Sequence, residues 1–373
     1  MNKFFTSSFL ITVIFIFLVT EVYSQNFFEN GEIGVSLSGA GRVRIYKDST
    51  NAPRQIERSS ILVGTGPNSV FGYNQDANND DPVTLIPNPQ FSDFELYGSA
   101  NNSWSSLPPD VLNKINIYGW LTGGYIVAKF NIINREQTNI NAVIGMEIIA
   151  RINGSYGLES IKWLSQEKTI SIYREGDSSF VGYKLLSSPL TSLSIIDWYS
   201  GYDTVDPDLW GWLTSNTIDT LFDSGGDGAV TIFSQDAVNI AAGDSSEIWV
   251  GISVGDDESE MISNMVIAEA KYNLITNIDE NSTAVPSAYE LKQNYPNPFN
   301  PSTKIQFAVP QTEFVSLKIY DVLGNEVSTL MHQELSTGSY EIQFNARLLS
   351  SGVYFYQLIT GNYSETKKMN LIK

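Results

Sequence analysis

The residues of this chain that could do chemistry are carboxylates and tryptophans. Its 373 residues include no Cys and a single His, His332. That removes disulfides, thiolate metal sites and catalytic Cys, and it leaves a Ser-His-Asp arrangement one residue to serve as base. Acid–base chemistry must therefore fall to Asp and Glu, as when two carboxyl groups flank a glycosidic bond. The most suggestive cluster is Asp203, Asp206 and Asp208 beside Trp210 and Trp212. Carboxylates accept hydrogen bonds from sugar hydroxyls, and aromatic faces give sugar rings a flat platform. Asp206, Asp208, Trp210 and Trp212 are the candidate glycan-binding residues. Spaced i, i+2, the two Trp would also share one face of a strand, and such a face can be plain core. A second group, Asp76, Asn78, Asp80 and Asp81, sets oxygen ligands at alternating places along one loop, as loops around Ca²⁺ do. It lacks the sixth-position Gly and the distal Glu of an EF-hand. The choice is between a weak calcium loop and an ordinary Asn/Asp-rich turn. No other cofactor is implied.

The elements that must position these groups are strands. Apolar residues at 42% and charged residues at 17% describe a folded chain. The 28 Gly, 14 Pro and 12% aromatics, set among short Val/Ile/Tyr/Thr runs, point to an all-β fold. Period-two alternation is clearest in Gly124–Asn134, Val143–Ile152 and Glu247–Val254. One helix is expected near the end of this region. Asp257 and Glu260 form a capping-box pair, and Met261, Met265, Ala268, Tyr272 and Ile275 make one apolar stripe to lie on a sheet. A large β-sandwich over 25–275 needs no disulfides, because a core of that size suffices. The net charge of −19 belongs to this part alone, since residues 25–283 hold 14 basic and 33 acidic side chains while both ends balance. Such a surface repels phosphate backbones, which argues against a nucleic-acid partner.

The two ends carry addresses. Lys3 precedes the apolar run Phe9–Val19, and Val22 and Ser24 are small residues at −3 and −1. Residues 1–24 thus fit a secretory signal peptide, cut between Ser24 and Gln25. The apolar run is short of the roughly 20 residues that cross a bilayer, so no membrane span is expected after cleavage. After a polar linker at 276–290, the segment Tyr295-Pro296-Asn297-Pro298-Phe299-Asn300-Pro301 is too proline-rich for helix or central strand. Six short β-type runs follow within 304–372, with turns at Gly324 and Gly338.

That proline segment, then Val315–Gly324, then Ser351–Tyr356 with Gly352 and Tyr354, then the closing run from Lys368 to Lys373, resemble the type A C-terminal sorting domain of the type IX (Por) secretion system. This family is similar to the Ig-like domain of flagellar hook-capping proteins. The resemblance implies a small Ig-like sandwich over 291–373, passage through the type IX translocon, removal by its sorting peptidase, and often attachment to surface polysaccharide. Tyr125–Asn134 with Ala142–Ile148 resembles paired strands of a β-sandwich common in such cargo, distantly similar to the galactose-mutarotase-like supersandwich. Relatives often carry Asp-Trp-Asp after the second strand, where this chain has Ala150-Arg151-Ile152. Mutarotase-type acid–base work relies on His, which residues 25–275 lack. The expectation is a secreted or surface-displayed protein whose central domain binds or builds without catalysis. The alternative is a secreted glycan-active enzyme, a carboxylate-based hydrolase or lyase.

Overall fold

A computed structural model of the protein describes residues 26–276 and 288–373, apart from Asn88, Tyr199, Ser200, Ser336 and Leu348. The signal segment with its Ser24/Gln25 junction, and most of the linker, lie outside the described residues. The chain is all-β, and pairing within its sheets is antiparallel throughout.

The central region is two large sheets face to face. In the nine-stranded sheet, Arg54–Gly66 and Ile140–Ala150 lie side by side at the middle, flanked by Val43–Lys47 beyond the former and Ala229–Ser234 beyond the latter. In the ten-stranded sheet, Ser245–Gly255 and Tyr125–Asn134 are central neighbours. One continuous core fills the space between, drawing Ile144, Met146 and Ile148 from the first sheet and Ile126, Ala128, Phe130, Ile248, Val250 and Ile252 from the second. These are the inward positions that the alternation gives. Tyr125–Asn134 and Ile140–Ala150 are not paired, however. They sit in opposite sheets, and the short connection between them crosses the sandwich. Alternation marks which side chains face inward and is silent on which strand lies alongside.

Each sheet also buries part of its outer face, under a helix. The expected helix, α2, spans Glu258–Thr276. Its start is closed by Asp257, which accepts from the Glu260 N–H at 2.9 Å, while Glu260 accepts from the Asp256 N–H at 2.7 Å. Met265 and Ala268 press on Tyr118, Val127 and Trp249 of the ten-stranded sheet. A second helix, α1, spans Asp206–Leu213 on the outer face of the nine-stranded sheet. Leu209 and Leu213 pack there with Leu62, Val143, Ile149 and Val230. Two glycines let it approach. A Cβ on Gly64 would stand 2.9 Å from the Trp210 ring, and one on Gly145 would stand 2.5 Å from Leu213. Among the described residues no helix is long and apolar enough to cross a membrane.

The tail is a small sandwich of a three-stranded and a four-stranded sheet. Val315, Leu317, Ile319, Tyr356 and Leu358 meet in its core, joined by Leu274 from α2. His332 lies exposed on the strand Glu326–Leu335, edge-on to Phe314.

Candidate functional site

The expected strand bearing Trp210 and Trp212 is helix α1, and that separates its side chains. Pro207 sits in the first turn, where its missing N–H costs nothing, and Asp206 and Asp208 face the positive end of the helix. Asp206 is spent locally, accepting from the Val70 N–H at 3.2 Å. Asp208 is exposed, and Trp210 lies half-buried against Gly64. Trp212 points elsewhere. It stacks on Tyr202 at 5.8 Å, and Tyr202 in turn stacks on Trp198 at 5.3 Å. The four candidate residues therefore form no single site, and Trp212 alone of them joins a three-ring stack.

The stack ends in a cleft of about 510 Å³ on the outer face of the nine-stranded sheet, beside α1. Arg42, Glu57, Arg58, Ile149, Tyr156, Trp198, Gly226 and Asp227 line it. The exposed rings are Trp198, 40% accessible, and Tyr156, 51% accessible. A β-bulge supplies the floor. The register between Arg54–Gly66 and Ile140–Ala150 runs from Arg58 opposite Ile149 to Ile56 opposite Ala150, so Glu57 is the extra residue. Ile56 stays in the core while adjacent Glu57 and Arg58 both reach the cleft, the re-aiming that bulges provide.

Electrostatics on this floor are dense. Glu57 accepts from Arg44 at 2.7 Å, Arg54 at 2.6 Å and Arg151 at 3.1 Å. Burial works to raise its pKa, but the hydrogen bonds from these three guanidiniums outweigh it and hold the carboxyl down at about 2. Arg58 is only 7% exposed, and it donates to Asn74 at 2.6 Å and to Glu147 at 2.5 Å. Glu147 also accepts from the Tyr202 hydroxyl, whose pKa burial and this carboxylate push upward. The Tyr73 ring lies within 5.7 Å of the Arg42 guanidinium and 5.0 Å of that of Arg58. Arg151 lies 5.1 Å over the Tyr156 ring. Behind the wall, buried Glu159 accepts from the Ser224 hydroxyl at 3.0 Å, and burial raises its pKa.

Of the residues expected around calcium, Asp80 and Asp81 share a partner, while Asp76 and Asn78 bond elsewhere. Asp76 is buried and accepts from the Gly72 N–H at 2.9 Å, while burial first, and Asp206 as a further contribution, push its pKa up. Asn78 donates to Ser103, Asp80 accepts from Asn101 at 2.6 Å, and Asp81 accepts from Tyr97 at 2.6 Å. Asp80 and Asp81 also share the Ser99 hydroxyl, at 3.4 and 3.0 Å. Among the described residues no three His, Cys, Asp or Glu side chains are grouped to hold a metal ion.

In the tail, the quoted blocks gather at one end of the four-stranded sheet. Phe299 is buried, pairs beside Leu371, and donates its N–H to the Asn370 carbonyl at 2.9 Å. Asn297 accepts from the Asn370 N–H at 2.9 Å and donates to the Lys368 carbonyl at 3.4 Å. Gly352 pairs with Leu371, and Tyr354 donates to the Ser350 carbonyl at 2.9 Å. The Pro301 carbonyl accepts from Ala346. Gly324 takes φ +82° in the turn that follows Tyr320, where Leu323 is 83% exposed. Tyr295 pairs with Lys304 and leaves its ring in solvent, with Pro296, Pro298 and Asn300 also exposed. One contributor stands just outside the proline motif: buried Asn294 donates to Thr303 at 2.9 Å, and its N–H meets the Tyr356 hydroxyl at 2.8 Å.

Residues 293–372 match the family described as a secretion system C-terminal sorting domain. The tail identifies the chain as cargo of the type IX secretion machinery, exported to the cell exterior or its outer surface. No curated protein matches the chain. Similar solved structures include a bacterial glucoamylase complexed with acarbose, at 12% identity and TM-score 0.49, covering 66% of this chain and 34% of that one. A polysaccharide lyase matches at 8% identity and TM-score 0.38, covering 94% and 47%. A putative aldose 1-epimerase from Escherichia coli K12 matches at 8% and TM-score 0.36, covering 62% and 98%. The chain thus spans about a third of the glucoamylase and about half of the lyase. Likeness at this level carries no statement about activity.

Of the candidate glycan residues read from the sequence, Trp212 alone joins the ring stack, and none of the cleft-lining residues is among them. Of the seven arginines in 25–283, four fall within 42–58 at even spacing, and that was the available signal.

Proposed function

We propose that the central domain is a non-catalytic binding module that holds a saccharide ligand in the Arg42–Trp198 cleft after export. The observation that carries this is the Trp198 ring, exposed at the cleft and backed by Tyr202 and Trp212. A platform fixed from behind loses little side-chain entropy when a ring settles on it. The volume falls within the range of ligand pockets, about 300–1,000 Å³. Glu57 does not fit the role of general acid. A carboxyl at about 2 with three guanidiniums on its oxygens carries no proton to donate at neutral pH. The function so proposed uses no cofactor. On this reading the leader is removed after Ser24, a sorting peptidase cuts in the 276–290 linker, and the body is released or joined to surface polysaccharide.

The alternative, a glycan-active enzyme, draws on Asp76 and Glu159, whose carboxyls burial raises toward the range of a general acid. Both are buried, Glu159 to 1% exposure, and neither lines the cleft. The test is a glycan array on the full chain and on Trp198→Ala, followed by assay of reducing-sugar release and unsaturated products from each hit. Retention of the hits by Trp198→Ala sinks the binding-site assignment. Sugar release abolished by Glu159→Gln or Asp76→Asn sinks the non-catalytic reading.

A further inference from the structure

The floor of the cleft has more positive charge than it neutralises. Five of the chain's eight arginines, Arg42, Arg44, Arg54, Arg58 and Arg151, stand around two carboxylates, Glu57 and Glu147. Arg44, Arg54 and Arg151 share Glu57, and Arg58 takes Glu147. Arg42 is left over. Its nearest carboxylate oxygen, on Glu57, lies 3.9 Å away, and its guanidinium makes no hydrogen bond among the described residues. It is partly exposed, and it lines the cleft together with two acids, Glu57, which the other guanidiniums already hold, and Asp227, which is itself in solvent. A network serving stability alone would match each guanidinium to a carboxylate. Here the surplus is concentrated on one face of a protein whose net charge is −19.

Resting on the binding reading above, we propose that the ligand is an acidic saccharide, with a carboxylate or sulfate group on the Arg42 fork and its sugar ring on Trp198. A guanidinium presents paired N–H donors that match carboxylate and sulfate oxygens, which an ammonium cannot do. Tyr73 holds that fork from the side, within 5.7 Å. Asp227 supplies an acceptor for ring hydroxyls at the rim. The acidic surroundings limit the ligand further. Beyond a Debye length of about 8 Å the general negative field is screened, so one anionic unit is admitted, while a densely charged polymer meets repulsion along its length.

The experiment titrates the full chain with three oligosaccharides of equal length, following tryptophan fluorescence and heat. One carries uronate carboxylates, one carries sulfates, and one is the uronate chain with its carboxyls methyl-esterified. One or both anionic probes should bind about tenfold or more tighter than the ester, the step expected of a charge-assisted hydrogen bond. The carboxylate and sulfate arms then say which group the site takes. Arg42→Gln should erase the preference while leaving ester binding in place, Arg42→Lys should restore part of it, and Trp198→Ala should weaken all probes. A melting curve on each variant separates misfolding from lost contact. Equal affinity for acid and ester, or a preference that survives Arg42→Gln, overturns this proposal and leaves the binding module standing. No binding by any probe overturns both.

Discussion

Glu57 is the group on which the arginine floor depends, and replacing it gives a prediction with a worked size. Three guanidiniums within 3.1 Å lower its pKa from 4.5 to about 2, against the opposing effect of burial. A depressed carboxyl pKa means that the folded state favours the ionised form more than the unfolded chain does. The resulting stabilisation is complete above about pH 4.5 and is lost as pH falls through about 2. At about 1.36 kcal/mol per unit, the shift is a ceiling of about 3 kcal/mol at neutral pH. Glu57→Gln removes the titration and leaves the guanidiniums around a neutral amide. The variant should be less stable at neutral pH by up to about 3 kcal/mol, and the gap to the parent should close between pH 4.5 and 2. The readout is built into the chain, because all seven Trp lie between 104 and 249. Fluorescence melts of the full-length protein therefore follow the central domain without the tail. A gap that stays constant from pH 6 to 2, or the absence of a gap at neutral pH, would refute the argument.

Gly145→Ala should cost about 1–3 kcal/mol or more, since its Cβ would meet the Phe233 carbonyl at 2.3 Å and Leu213 at 2.5 Å. The same fluorescence melts check this, and an unchanged midpoint would mean that α1 is not seated there. In the tail, Phe299→Ala should remove about 3–5 kcal/mol and, in a domain of this size, lower its melting point by about 4–8 °C for each of them. Export should fail with the fold, and hydrogen exchange in the tail strands should rise. Tyr295→Ala, at an exposed ring, should stay within about 0.5 kcal/mol. Any export defect it shows then reports recognition, whereas tail unfolding in this variant would count against that division. Deleting residues 291–373 should leave the protein in the periplasm, and the mass of the surface form should lack Lys373. Normal display of the deletion would contradict the role of the tail.

The legible parts of this molecule are those governed by local rules. Alternation in Gly124–Asn134, Val143–Ile152 and Glu247–Val254 marked the inward side chains of the central core because a strand turns its side chains over at every step. The Met261–Ile275 stripe and its capping pair likewise gave α2. The misreadings come from longer range. Trp210 and Trp212 looked like one strand face, although Asp206-Pro207 ahead of them is a helix start that could have been read. A resemblance makes paired strands of Tyr125–Asn134 and Ala142–Ile148, whereas the short connection between them crosses from one sheet to the other.

The arginine floor was out of reach for a different reason. Its residues come from Val43–Lys47 with Arg42 just ahead of it, from Arg54–Gly66, and from the end of Ile140–Ala150 with Arg151 just beyond it, which only the sheet order brings together. The bulge at Glu57 then puts two consecutive side chains on one face, where strict alternation would have divided them. A composition average also hides the site, because a surplus of guanidiniums disappears inside a total of −19. What makes it a candidate is the contrast: carboxylates outnumber basic residues 33 to 14 in 25–283, yet two serve five arginines here, and Arg42 lines the cleft 3.9 Å from Glu57 without a hydrogen bond to it.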